Sequence, residues 1–307
     1  MLIKESKSSL LNRVFSLEPF IGNTPLFPLN GTFSKPGVTI YAKLEWYQLG
    51  NSVKARPAFN IIKEAVASGK LDEHIHLLDA SSGNTGVAYG AIGAALGLQV
   101  TLALPANASN QKKNALKAHG VNIIETSRFE GTDGAQEYAL ELYQNNPELY
   151  YYADQYSNEN NWKAHYYSTG REIFDQTRGK ITHFVAGLGT TGTFTGTARR
   201  LKENNPNIEV ISLQPDFAMH ALEGWKHLET AKVPKIYDPI LADRNLEVST
   251  EEAYALIKEV ALKDGLLLSP SSAANLVGAI RVAKELDSGV VVTVFPDHGS
   301  NYPELVI

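Results

Sequence analysis

The chain has 307 residues, enough for about two domains at roughly 150 residues each. Hydrophobic residues make up 43% and charged residues 20%, the make-up of a soluble globular protein with a sizeable core. A net charge of −5 gives no basic excess for nucleic acid, and the absence of cysteine excludes disulfides and thiolate metal sites.

From the N-terminus, MLIKESKSSLLNRVFSLEPF has no apolar core followed by a small-residue cleavage site, so no signal peptide is expected. No run reaches the ~18 apolar residues of a membrane span, and a cytoplasmic protein without a membrane partner is expected. Strand and helix patterns then alternate. Val38–Leu44 reads as a strand, Ala58–Ser68 as a helix with Phe59, Ile62 and Val66 on one face, and His76–Ala80 as a strand. A small-residue helix at Val87–Leu96, a strand at Gln99–Leu104, a helix at Lys112–His119 and a strand at Asn122–Glu125 follow. Next come a helix at Gly134–Asn145, an aromatic strand at Leu149–Ala153, a strand at Phe184–Ala186 and a helix running to Glu203. The last elements are a strand at Ile208–Leu213, a helix at Thr250–Lys263, a strand at Leu266–Leu268, a helix at Ala273–Glu285 and a strand at Val290–Phe295. Such alternation predicts an α/β fold with mostly parallel sheets covered by helices.

In open α/β sheets, ligands sit beyond the carboxyl ends of the strands. Five polar or glycine-rich stretches qualify: GNSVKARP (50–57), ASSGNTG (80–86), ADQYSN (153–158), GLGTTG (187–192) and SPSSAAN (269–275). The fourth fits G-x-G-x-x-G, which serves a dinucleotide pyrophosphate or a single phosphate monoester equally well. The dinucleotide reading needs an acid beyond the next strand, and Asp216 is the candidate.

Lys54 stands just ahead of Arg56-Pro57 and a helical pattern, near a helix N-terminus where the dipole disfavours a cation. A neutral amine there would suit carbonyl condensation, although an isolated lysine ordinarily reads as a snorkelling surface residue. Ser81-Ser82-Gly83-Asn84-Thr85-Gly86 lies between a strand and a helix, and its hydroxyls and free N–H groups make a carboxylate site. A plain N-cap explains only one or two of these six residues. Ser271-Ser272 reads first as helix capping, and Asp297-His298 as loop stabilisation rather than an acid–base pair.

Taken together, Ser52-Val53-Lys54, Ser81–Gly86 and Gly189-Thr190-Thr191-Gly192-Thr193 resemble the fold-type II pyridoxal-phosphate enzymes. Within them the chain is similar to the cysteine synthase (O-acetylserine sulfhydrylase) and cystathionine β-synthase group, and GLGTTGT with KIYDP (235–239) leans towards its cysteine synthase B-like members. The likeness runs from IGNTPL (21–26) through KLE (43–45) to PDHGSNY (296–302). It implies two three-layer α/β domains of the tryptophan synthase β type, with the cofactor in the interdomain cleft. The smaller domain would cover residues 48–158 and the larger 1–47 plus 159–307.

The resemblance further implies that Lys54 bonds the cofactor and that Gly189, Thr190, Thr191, Gly192 and Thr193 hold its single phosphate. Asn84 would bond the pyridine 3′-oxygen, and Ser271 would face the ring nitrogen. A neutral hydroxyl there would leave that nitrogen unprotonated and favour loss of a β-leaving group over transamination. Ser81, Ser82, Gly83, Thr85 and Gln155 would hold the substrate carboxylate. The implied reaction is β-replacement on O-acetylserine or O-phosphoserine by a sulfur nucleophile to give cysteine, with cyanoalanine-, cystathionine- or diaminopropionate-type synthesis as alternatives. A homodimer is implied, with Leu10, Leu11, Val14 and Phe15 of an N-terminal arm facing either a partner or their own domain. The chain departs from the family pattern at Gln48-Leu49, Asn51 and Ala55, at Pro270 with Ser272-Ala273, and at Asp297–Tyr302. An O-phosphoserine user would add a cation near the substrate, for which Lys226 and Lys232 are candidates.

Overall fold

The computed structural model describes residues 2–305, with side chains described from residue 9 onward. The chain forms two compact units, one of residues up to Ile21 with Lys54–Asn161, the other of Gly22–Val53 with the residues from Trp162 on.

The first unit holds a parallel sheet in the strand order Asn122–Thr126, Val100–Pro105, His76–Ala80, Tyr150–Tyr152. Its inner strands are apolar almost throughout because both faces are covered, the mark of a parallel sheet. Leu78, Ala80 and Ala103 pack on Ala135 and Ala139 of the helix Gly131–Asn145. Leu102 points the other way, to the helix Asn84–Leu96, where a Cβ on Gly86 would lie 2.9 Å from Leu102 Cδ1. The N-terminal helix Leu2–Leu17 packs on the helices Ala55–Ser68 and Asn84–Leu96, burying Leu10 and Val14. This segment therefore groups with the first unit, whereas the resemblance had put it in the larger domain. Leu10 and Val14 cover their own unit, while Phe15 stays exposed.

The second unit carries a sheet in the order Leu26–Pro28, Val38–Leu44, Gly289–Phe295, His183–Gly187, Glu209–Pro215, Arg244–Val248. Only its first pair is antiparallel. Alternation along the strands divides the core between two faces. Phe184, Ala186, Val210, Val292 and Val294 join Phe194, Ala198 and Leu201 of the helix Gly192–Asn204 on one side. Val185, Ile211, Leu213, Val291 and Phe295 join Ala273, Leu276 and Val277 of the helix Pro270–Glu285 on the other. A period of two with both faces apolar gives three layers.

Two expectations change here. Leu266–Leu268 is not a strand and makes only a single bridge, Leu268 to His298. The strand Gly289–Phe295 is already paired on both edges, by Val38–Leu44 and His183–Gly187, which leaves no edge to extend. The helix expected from Ala273 begins at Pro270, capped by Ser269, whose Oγ accepts from Ser272 N. Proline at the first helical position needs no N–H partner there.

A buried polar cluster fixes the entry to the second unit. Lys43 Nζ, fully buried, pairs with Glu172 Oε2 at 2.7 Å and donates to Thr24 O and to Gln176 Oε1. Glu172 Oε1 accepts from Asn23 N, and Glu45 Oε1 from Thr24 Oγ1. Removing one partner of a buried pair leaves an uncompensated charge, at a cost of about 3–5 kcal/mol. Glu172→Ala is expected to lower the unfolding free energy in urea by about 3 kcal/mol or more. The double variant Lys43→Met, Glu172→Leu should recover part of that loss, and equal stability of Glu172→Ala and wild type would refute the assignment.

Candidate active site

In the first unit, the strand His76–Ala80 ends in the loop Ser81–Gly83, and Gly83 is the N-cap of the helix Asn84–Leu96. Ser81 Oγ accepts from Gly86 N at 3.0 Å and Gly83 N at 3.3 Å, so this serine braces its own loop. Ser82, Gly83 and Asn84 are half-buried at the helix start, where backbone N–H groups lack helical partners. Thr85 Oγ1 donates to Gln155 Oε1 at 2.7 Å, and Gln155 Nε2 donates to Ala80 O at 3.2 Å. Gln155, uninformative in sequence, thus ties the two adjacent strand ends together.

Asp79 underlies this arrangement. It is fully buried, and its Oδ1 accepts from Ala80 N at 2.8 Å and its Oδ2 from Gln155 N at 3.3 Å. Burial pushes its carboxyl from the ordinary 3.8 up to about 7, against the pull of the Ala80 N–H and with a further push from the Asp154 charge. The Tyr89, Tyr152 and Tyr156 phenols are raised as well, by burial first and then by the Asp79 charge.

Lys54 is the N-cap of the helix Ala55–Ser68, one turn earlier than the pattern suggested, and its carbonyl accepts from Ala58 N at 3.0 Å. It is half-buried, and Ala55, Arg56 and Pro57 after it are buried.

In the second unit the strand His183–Gly187 enters the glycine loop. A Cβ on Gly187 would lie 2.2 Å from the Trp225 ring, and one on Gly189 2.0 Å from Gly224 O, so only glycine fits at either position. Gly187 N donates to the buried Asn275 Oδ1 at 2.7 Å, Leu188 N to Leu213 O at 2.9 Å, and Lys226 N to Leu188 O at 2.8 Å. Thr191, the N-cap of the helix Gly192–Asn204, has φ 70, a left-handed conformation uncommon for a β-branched residue. Its Oγ1 is buried and has no hydrogen-bond partner among the described residues. Thr190 Oγ1 accepts from Gly192 N at 3.4 Å, and Thr193 Oγ1 lies 3.3 Å from His165 Nε2. A partnerless buried hydroxyl beside a helix N-terminus, in a turn closed to side chains, fits a phosphate monoester.

Ser271 lies inside the first turn of the helix Pro270–Glu285 rather than before it. Its Oγ is 3.2 Å from Ser269 Oγ and donates to Asp297 Oδ1 at 3.4 Å. Ser272 Oγ donates to Asp297 O and Tyr302 OH to Asp297 Oδ2. Asp297 is fully buried and bridges to Ser52, while His298 Nδ1 turns to Ser300; this is a loop anchor. Asp216, which the dinucleotide reading requires, lines a cavity of about 510 Å³ with Gln214, Asn245, Glu247 and Arg281. None of Gly189–Thr193 lines it.

The family of pyridoxal-phosphate dependent enzymes matches residues 17–297. The chain belongs to that family. Pyridoxal phosphate is therefore its cofactor, and the glycine loop is not a dinucleotide fingerprint. The chain is 48% identical over 92% of its length to the cysteine synthase of Aquifex aeolicus, 88% of which is covered. It is 36% identical to the cysteine synthase B of Pseudomonas aeruginosa, over 92% of the chain and 93% of that protein. The crystal structure of a cysteine synthase from Entamoeba histolytica superposes with a TM-score of 0.88 at 30% identity, over 96% of this chain and 88% of that one.

The geometry thus brings Ser81, Ser82, Gly83, Asn84, Thr85 and Gln155 together in one unit of this pyridoxal-phosphate enzyme. It brings Gly189–Thr193 together in the other, beside His165 and Asn275, which sequence reasoning missed. Asp79 was also missed, although a lone acid in the apolar strand HLLDA was a signal for it.

Between its ordinary value and about 7, Asp79 binds more protons folded than unfolded, so its contribution to stability falls as pH rises through that range. At about 1.4 kcal/mol per pH unit, the cost reaches on the order of 4 kcal/mol above neutrality. Asp79→Asn should flatten the decline of urea-unfolding free energy between about pH 4 and pH 7. An unchanged slope would contradict this account.

Proposed function

We propose that this enzyme performs β-replacement on an activated serine, O-acetylserine or O-phosphoserine, with a sulfur nucleophile such as sulfide, giving cysteine and acetate or phosphate. One observation carries the reading. The start of the helix Asn84–Leu96, braced by Gln155 and Asp79 at two adjacent strand ends, is a site for an amino-acid carboxylate. The relatives named as cysteine synthases support the same reaction.

When bound, the cofactor supplies an electron sink for the bonding electrons released at the substrate Cα. The chain's residues do the rest. The N–H groups at the start of the helix Gly192–Asn204 and the hydroxyls of Thr190, Thr191 and Thr193 hold the phosphate. Lys54 Nζ would hold the cofactor and, once the substrate amine has displaced it, would take the Cα proton and return it to Cα after the nucleophile has added to Cβ. Ser82, Gly83 and Thr85 orient the substrate carboxylate, with Ser81 and Gln155 fixing their positions. Asn84 would hold the cofactor's 3′-oxygen and Ser271 would face its ring nitrogen. Lys226, whose backbone is tied to Leu188 beside the glycine loop, is the better placed of the two lysines for an anionic donor. Lys232 is exposed. The proposed assembly is a cytoplasmic homodimer, for which the exposed Phe15 and Phe20 offer apolar surface.

Purified protein reconstituted with pyridoxal phosphate should show a visible absorption band that Lys54→Ala loses. One of the two serine esters, added alone, should shift that band, and later addition of sulfide should restore it with release of cysteine. If O-phosphoserine is the donor, Lys226→Ala should weaken it at least tenfold, a charge-assisted hydrogen bond being worth about 1.5–3 kcal/mol. A band insensitive to both esters would overturn the reading.

A further inference from the structure

Asp79 is fully buried near the end of the strand His76–Ala80, and only Ala80 and Ser81 separate it from Ser82. An extended chain advances about 3.3 Å per residue, so the backbones of Asp79 and Ser82 are no more than about 10 Å apart. Gln155 joins the two from the neighbouring strand end. Its N donates to Asp79 Oδ2 at 3.3 Å, its Oε1 accepts from Thr85 Oγ1 at 2.7 Å, and its O accepts from Asn161 Nδ2 at 2.7 Å. A carboxylate held at Ser82, Gly83 and Thr85 therefore shares one buried polar network with the Asp79 carboxyl.

The titratable groups that face Asp79 are Tyr89 of the helix Asn84–Leu96, Tyr151 and Tyr152 of the strand Tyr150–Tyr152, and Asp154 and Tyr156 just beyond that strand. Tyr143 acts on Tyr151 and Asp133 on Tyr156, both from the helix Gly131–Asn145. The strand Val100–Pro105 sets the neutral Leu102 opposite Asp79. Burial raises all four of the facing phenols, so they stay neutral where Asp79 titrates, near about 7. None of the groups that act most on Asp79 is a cation. Its ionised form is thus an uncompensated charge beside a site for another carboxylate. Two unit charges about 10 Å apart, at an effective dielectric constant of about 20, repel enough to change a binding constant on the order of tenfold. The N–H groups that Asp79 orders belong to Ala80 and Gln155, not to the residues that hold substrate. Repulsion is therefore the larger effect of its charge on a bound carboxylate.

We propose that Asp79 is a positioning residue that sets the pH range of substrate binding: protonated, it braces the site for the substrate carboxylate, and ionised, it opposes that carboxylate by like charge. This rests on the assignment of Ser82, Gly83 and Thr85 as the carboxylate site. Linkage is reciprocal, so a bound carboxylate raises the affinity of Asp79 for its proton by the same factor. A tenfold effect is a rise of about one pH unit.

The test measures dissociation constants of the holoenzyme for L-alanine and L-alaninamide, in wild type and Asp79→Asn, between about pH 6 and about pH 9. Alanine has no leaving group on Cβ, and its amide lacks only the carboxylate. Asparagine keeps an oxygen for the Ala80 N–H and carries no charge, as the protonated aspartate does. For alanine, the wild-type constant should match that of Asp79→Asn at about pH 6 and exceed it on the order of tenfold at about pH 9. For alaninamide the two proteins should agree throughout. Comparing them at each pH cancels the ionisation of the ligand amine. A ratio for alanine that does not change with pH would mean a merely structural role and overturn the proposal, as would the same rise with alaninamide. Should Asp79→Asn fail to fold, carbon NMR of the wild-type holoenzyme with labelled aspartate decides. The carboxyl that titrates near about 7 should move up by about one pH unit when alanine saturates the site, and stay in place with alaninamide. No movement with alanine overturns the proposal. Wild type binding alaninamide as tightly as alanine at about pH 6 would instead defeat the carboxylate-site assignment itself.

Discussion

A β-branched residue in the left-handed region costs about 1–3 kcal/mol, and Thr191 is buried there at φ 70. Trp225 presses on Gly187 and the Gly224 carbonyl on Gly189, while Asn275 takes the Gly187 N–H. These contacts leave the backbone one path from the strand His183–Gly187 into the helix Gly192–Asn204. That path sets where the helix begins, with Thr191 as its N-cap. The Thr191 hydroxyl is buried without a hydrogen-bond partner among the described residues, and an anion bound at the turn, as proposed above, would offset part of the strain.

The first unit uses a related device, in which the anion is a side chain of the protein itself. Asp79 is buried at a strand end, where its two oxygens order the Ala80 and Gln155 N–H groups and so shape the loop beyond. Burial of that carboxylate costs stability at neutral pH, and the return is a rigid start to the helix Asn84–Leu96. Both units thus accept local free-energy costs at the carboxyl ends of parallel strands, where an α/β sheet leaves room for ligands. The apolar layers beneath, such as Leu78 and Ala103 in one unit and Phe184 and Val292 in the other, supply the compensation.

Much of this was legible in the sequence. Val38–Leu44, His76–Ala80 and Thr250–Lys263 have the bounds that periodicity gave them, because short apolar strands and capped amphipathic helices carry their own signals. Several helices begin earlier than expected: Ala55, Asn84 and Pro270 are polar or small first turns that hydrophobic periodicity does not register. The strand inferred at Leu266–Leu268 is only an isolated bridge from Leu268 to His298, since the strand Gly289–Phe295 that precedes His298 is already paired on both sides. The loops bearing Ser81–Thr85 and Gly189–Thr193 were visible from composition alone. Their supports were not. Asp79 sits just ahead of its loop, but Asn275 and His165 come from distant parts of the chain, and no local pattern ties His165 to Thr193 or Asn275 to Gly187.

The central claim is that the Gly189–Thr193 turn holds one phosphate monoester as a dianion. Phosphorus NMR of the protein loaded with pyridoxal phosphate tests it most directly. A free ester titrates with a second pKa near ~6, so its resonance moves steeply around that pH. The account predicts one bound phosphorus resonance per chain, fixed in position from about pH 6 to pH 9, because the turn favours the dianion throughout. A resonance that follows the free-ester titration would contradict it.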